Sequence, residues 1–367
     1  MQDDLFGSPP DPIPPSPPIS GAHPPGTRAP RPRVRPAEVD ASIHSLAASL
    51  PPTLHLGTSS WSYPGWAGLV WDGEVAEATL SRHGLSAYAA HPLLRTVSID
   101  RSFYRALDAG QYAHYASQVP SAFRFIVKAP GSVADAMVRS ETGKGLQPNP
   151  LFLDSQWAID EFIRPAMTGL GPKIGALVFQ LSPLPADMLR HVPQVLARLD
   201  AMLGALPRVQ EVAPDGVVAL EVRDPALLGP ALVEVLKRRG VAYCLGLHAK
   251  MPPVEAQLPM LRAMWPGPLV CRWNLHRRHG PFGYEDAQKQ YAPYDRLHDP
   301  DHETRAVLAK VIAGTVGHGQ RAYISVSNKA EGCSPLTVQA LAEAVRARLL
   351  ASRPQAEVDK GHTPSSS

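Results

Sequence analysis

Glu221 and Arg223 close the apolar run "VVALEVRDP", two residues apart. On a strand such a spacing puts both side chains on one face. If that face is the inner one, two charges leave water together, which is costly without partners. A carboxylate set among cations can serve as a general acid or base, and a guanidinium can clamp an oxyanion through two N–H groups. The other reading is an ion pair that merely caps the interior. Lys128, last residue of "FRFIVK", adds a cation that is either a second catalytic group or a strand-end lysine reaching for water. Asp100, after "TVSI", supplies a second carboxylate, and a carboxylate pair is the machinery of glycoside hydrolysis. Gln180 in "VFQLSP" would orient a substrate hydroxyl or bond strand carbonyls.

A second group of residues is suited to binding. The stretch "GTSSWSYPGW" places Trp61, Tyr63 and Trp66 within ten positions, more aromatic surface than a turn requires. Trp61 and Tyr63 are candidates for ligand contact or for packing that seals the site, and Trp66 is assigned to the core. Tyr104 and Arg105 follow Asp100 closely. The segment "RWNLHRRHG" at 272–280 runs into "PFGYEDAQKQYAPYDRLHD", so His276, Arg277, Arg278 and His279 lie beside Phe282, Tyr284, Tyr291 and Tyr294. Cations interleaved with aromatics suit phosphate contact and base stacking. The acidic Glu285, Asp286, Asp295, Asp299 and Asp301 dilute that field, and a lid closing on a bound anion reconciles the two. His248 with Asp100, Glu221 and Asn274 is the weaker, metal-binding alternative, because no paired histidine spacing supports it. No cofactor is expected.

These residues need a scaffold, and the chain supplies a repeating one. Eight β-branched or aromatic runs recur ("TLHLGTS", "LRTVSID", "FRFIVKA", "IGALVFQL", "GVVALEV", "VAYCLGL", "PLVCRWN", "RAYISVS"). Most are separated by helical patterns such as "PALLGPALVEVLKRRG", which Gly240 stops, and "SPLTVQALAEAVRARLLAS", where Ser334 is read as N-cap and Pro335 as the first helical residue. Alternation of this kind predicts an α/β fold, a single closed (β/α)8 TIM-type barrel. An open doubly wound sheet is the runner-up, but no GxGxxG turn follows any run. Ligands bind barrels at the C-terminal strand ends, where every polar residue named above falls.

Of the 40 prolines, 12 fall within residues 1–36. Residues 1–38 are therefore expected to form a disordered, Pro-rich tail, 39–352 the barrel domain and 353–367 a second disordered tail. The net charge of +3 is too small to argue for nucleic acid or a membrane surface. The three cysteines, Cys244, Cys271 and Cys333, have no paired spacing and suit a reducing, cytoplasmic setting. Neither a signal peptide nor a membrane span is expected.

Taken in order, "GTSSWSYPGW", "TVSIDRSFYR", "FRFIVKAP", "ALVFQLSP" and "ALEVRDPALL" resemble the YecE-like family, a domain of unknown function, over residues 53–350. The resemblance implies a TIM-type barrel and names no activity. It also draws attention to Arg272 and Asn274 in "RWNL", where the family usually has Arg-Leu-His-Gly, and to Asn328 in "SVSNKAEG", where it usually has two asparagines. A histidine usual after the "KAP" segment is missing. Two functions remain open. One is an acid/base enzyme, a hydrolase, lyase or isomerase without redox cofactor, acting on an anionic hydroxylated small molecule such as a sugar phosphate or nucleotide fragment. The other is a non-catalytic nucleic-acid or nucleotide binding protein that uses the loop 272–294.

Overall fold

The computed structural model describes residues 34–140, 145–280 and 283–352. Eight parallel strands form a closed barrel: β1 (Leu54–Thr58), β2 (Thr96–Ile99), β3 (Arg124–Lys128), β4 (Ile174–Gln180), β5 (Val217–Glu221), β6 (Ala242–Leu247), β7 (Leu269–Trp273) and β8 (Ala322–Val326). Each neighbours the next in sequence, and β8 closes on β1 with Leu54 opposite Ala322. Helices fill the intervals, so the (β/α)8 expectation holds. Beyond the sequence reading, a short antiparallel hairpin, Met137–Arg139 with Gly145–Pro148, is inserted between β3 and β4.

Side chains alternate across a strand, which divides the buried material into two regions. Outward residues join the helices in one large apolar core. Inside the barrel, Ile126, Ala176, Val178, Ala219, Cys244 and Val270 pack around Tyr323. Two residues further along four of these strands, the same inward face carries Lys128, Gln180, Glu221 and Arg272, all buried. The interior is thus apolar below and charged above.

Helix ends follow the local chemistry. Helix Pro230–Arg239 stops at Gly240, which takes the left-handed conformation at φ 64°. The last helix, Ser334–Ala351, begins one residue earlier than expected, with Cys333 at the cap position. Its first N–H and the Ser334 hydroxyl both donate to Oδ1 of Asn328 at 2.8 Å, so a residue after β8 does the capping.

The expected tails lie outside the described residues, except for residues 34–38. These run along the loop after β1, where Asp72 N–H donates to the Arg35 carbonyl and Ala37 N–H to the Val70 carbonyl, both at 3.0 Å. A chain starting at residue 34 should therefore melt like the full-length protein, whereas one starting at residue 39 should lose about 1–3 kcal/mol with those two hydrogen bonds. Equal melting temperatures for the two truncations in calorimetry would refute this anchoring.

Candidate functional site

The charged layer is organised by the Arg272 guanidinium. Its Nη1 donates to Glu221 Oε2 at 2.7 Å and to Gln180 Oε1 at 3.0 Å, and its Nη2 donates to Asp100 Oδ2 at 2.6 Å. Arg223 Nε lies 2.8 Å from the other Glu221 oxygen as a charge contact, and its Nη2 donates to Gln180 Oε1 at 2.9 Å. Asn274 Nδ2 reaches the Arg272 carbonyl at 3.2 Å and, more distantly, Glu221 Oε1 at 3.4 Å. Asp100 is steadied by the Ser98 hydroxyl of β2 at 2.6 Å. Room for Glu221 comes from Gly246 on the next strand, since a Cβ there would lie 3.1 Å from the Glu221 side chain.

Lys128 completes the layer from β3, with its ammonium 3.5 Å from the centroid of the Phe103 ring. That cation–π contact offsets part of its lost hydration. Burial nevertheless pushes the Lys128 pKa well down, helped by Arg272 and Arg223 against the pull of Asp100 and Glu221. For Glu221 burial works in the opposite sense, but Arg223, Arg272 and Lys128 outweigh it and hold the carboxyl below its usual range. Burial disfavours the charge on Arg272 too, and Asp100 with Glu221 more than restores it. Glu221 and Arg272 are thus firmly ionised, and Lys128 is the group whose proton is loosened.

The helix Tyr284–Tyr291 meets this layer through its first residue. Tyr284 packs with Leu275, Ala287 and Tyr291, and its hydroxyl hydrogen-bonds Arg223. His248, after β6, lies under the same tyrosine with ring centroids 5.3 Å apart.

The structure thus gathers Glu221, Arg223, Lys128, Asp100, Gln180, Arg272 and Asn274 at one place. The remaining candidates have other contacts. Trp61 is buried edge-on against Tyr115 at 5.3 Å, and Tyr63 packs between Trp66 at 5.0 Å and Tyr294 at 5.3 Å. Trp66 is fully buried, as expected, and its indole N–H donates to Asn328 Oδ1 at 3.3 Å. Asn328 therefore ties the first loop to the last helix. Tyr104 and Arg105 lie on the exposed surface. In the basic loop, Arg278 pairs with Asp299, while Tyr291 donates to Asp299 at 2.5 Å and meets His279 at 2.6 Å. Phe282 lies outside the described residues.

Phe103, Ser98 and Gly246 were not singled out from the sequence. Ser98 had a signal, since it lies on β2 two residues before Asp100; Phe103 had none. Among the described residues no group of three or more His, Cys, Asp or Glu side chains is placed to hold a metal. The cation between Asp100 and Glu221 is the guanidinium of Arg272.

A comparison with curated proteins gives no match. Among solved structures, the chain is similar to a DUF72 family protein from Enterococcus faecalis, at 14% identity and a TM-score of 0.49 over 80% of this chain and 95% of that one. It is also similar to a DUF72 family protein from Thermotoga maritima, at 15% identity and a TM-score of 0.48 over 82% and 99%. The family described as "Protein of unknown function DUF72" matches residues 55–359. That span takes in all eight strands but the first residue of β1, together with the whole charged layer, and the chain belongs to the DUF72 family.

Proposed function

We propose that the barrel mouth binds an anionic, hydroxylated small molecule, such as a sugar phosphate or nucleotide fragment, and acts on it by acid and base catalysis. The observation that supports this is the buried set of three cations, Lys128, Arg223 and Arg272, against two carboxylates, Asp100 and Glu221, at the C-terminal strand ends. With Lys128 protonated the layer carries one positive charge more than its carboxylates match, which a bound anion would balance.

Roles follow from the electrostatics. Glu221 holds both guanidinium groups and is a poor base while so paired, and Asp100 holds Arg272 from the other side. Lys128 is the base: its lowered pKa leaves a lone pair available nearer neutral pH. An arriving anion favours the ammonium form, so binding itself strengthens Lys128 as a proton acceptor. Arg223, at the upper edge of the layer beside Tyr284, is the anion clamp. These roles suit a hydrolase, lyase or isomerase.

Two outcomes test the assignment. Lys128→Met should abolish turnover yet raise the melting temperature at neutral pH, because it removes a buried charge. The sign with pH follows from linkage: the Lys128 pKa is below 10.5 in the folded chain. Between its folded and free values the unfolded chain binds more protons, so wild-type stability should gain on Lys128→Met as pH rises towards 10.5. A destabilised Lys128→Met with turnover intact would reject the role.

The second outcome concerns binding. In a thermal-shift panel of sugar phosphates and nucleoside monophosphates, at least one compound should raise the wild-type melting temperature by several degrees. Arg223→Lys, which keeps the charge but loses the planar fork, should weaken that shift about tenfold in concentration. If no compound stabilises the wild type, the anion-binding reading fails.

A further inference from the structure

His248 is only 4% exposed. Its Nδ1 accepts the backbone N–H of Lys250 at 3.2 Å, across the turn after β6. A ring nitrogen that accepts holds a lone pair, so the proton of the neutral imidazole is on Nε2. Burial, reinforced by Arg223 and Lys250, pushes the His248 pKa down to about 2. The ring is therefore neutral throughout the working range of pH, and one N–H is fixed in position.

Among the described residues that N–H has no hydrogen-bond partner, although it is buried. On the neighbouring strand, Nε of Arg272 is buried and likewise has no hydrogen-bond partner among the described residues. Unmet buried donors are costly, and a ligand that supplies acceptors recovers the cost. The neighbours indicate which ligand atoms fit. Arg223 is close enough to disfavour a charge on the imidazole, and Tyr284, tilted against the ring, also hydrogen-bonds Arg223. Arg223 and the neutral His248 are both donors and both meet Tyr284, and two donors gathered at one residue suit a group with several acceptor oxygens.

We propose that His248 is an oxyanion-binding residue: its Nε2–H donates to one oxygen of a bound carboxylate or tetrahedral oxyanion whose other oxygens are met by the Arg223 guanidinium. This rests on the reading of the barrel mouth as an anion site and adds to it a neutral donor that gives direction where the guanidinium gives charge.

The test uses the full-length chain with sodium sulfate and sodium acetate as tetrahedral and planar probes, followed by thermal shift and calorimetric titration. In His248→Asn the side-chain oxygen can still accept from the Lys250 N–H, as an Asx turn does, while the Nε2 donor is gone. The wild type should bind at least one anion, and His248→Asn should bind it about tenfold more weakly with little change in anion-free melting temperature. If His248→Asn binds both anions as the wild type does while Arg223→Lys loses them, the proposal is overturned and the anion site stands. If the wild type binds neither anion, or neither variant weakens binding, both readings fall. A drop in melting temperature with unchanged affinity makes His248 structural and also overturns the proposal. Should His248→Asn not fold, nitrogen-15 NMR of the wild type decides: addition of the bound anion should shift the His248 Nε2–H resonance, and an unmoved resonance overturns the proposal.

Discussion

The Arg272 guanidinium spans the barrel, meeting Asp100 at the end of β2 and Glu221 at the end of β5, with Gln180 of β4 between them. In a medium of low dielectric each such contact is strong, but each ion has also been stripped of water, and the two effects nearly cancel. What survives is geometric. A planar fork has few ways to satisfy partners on different walls, so the mouth is held to one shape. Arg223 takes its position from the same carboxylate and the same amide oxygen. Were Arg272 absent, the buried Glu221 would lose one of the two cations that hold it ionised.

The barrel was legible because its signal is local. Eight β-branched runs and the helical spacing between them are short-range patterns, and each run became a strand. The pairing of Glu221 with Arg223 was also legible, since their shared face follows from a separation of two residues. The role of Arg272 was not. It depends on which strands face one another across a closed ring, which no spacing along the chain encodes. Asn328 shows the same limit: flagged for binding, it also accepts from Trp66 and caps the final helix, which no spacing along the chain foretold. Tyr104 and Arg105 shared a sequence neighbourhood with Asp100 but not its environment, because the 3-10 turn Arg101–Phe103 directs the chain outward after β2.

The helix that meets the charged layer belongs to the same economy of burial. The aromatic side chains Tyr284 and Tyr291, which composition suggested for stacking on bases, are turned inward onto Leu275 and Ala287. In the surrounding loop Arg278 is matched by Asp299, and beyond it Arg305 of the helix His302–Gly317 is matched by Glu331 after β8. Burial raises the electrostatic contrast inside, because excluding water strengthens each remaining interaction.

The seam between β8 and β1 bears on the order of the chain itself. Helix Ala41–Ser49, near the start, packs against the final helix, Ser334–Ala351, so the first and last helices of the barrel are neighbours. Asn328 pins the junction by accepting from the first loop and the last helix at once. A ring joined this way has no intrinsic beginning. The register of the strands and the charged layer refer to position around the circle and not to distance from a terminus, so a circularly permuted gene with new ends in an outer loop would encode the same enclosure and the same arrangement of side chains.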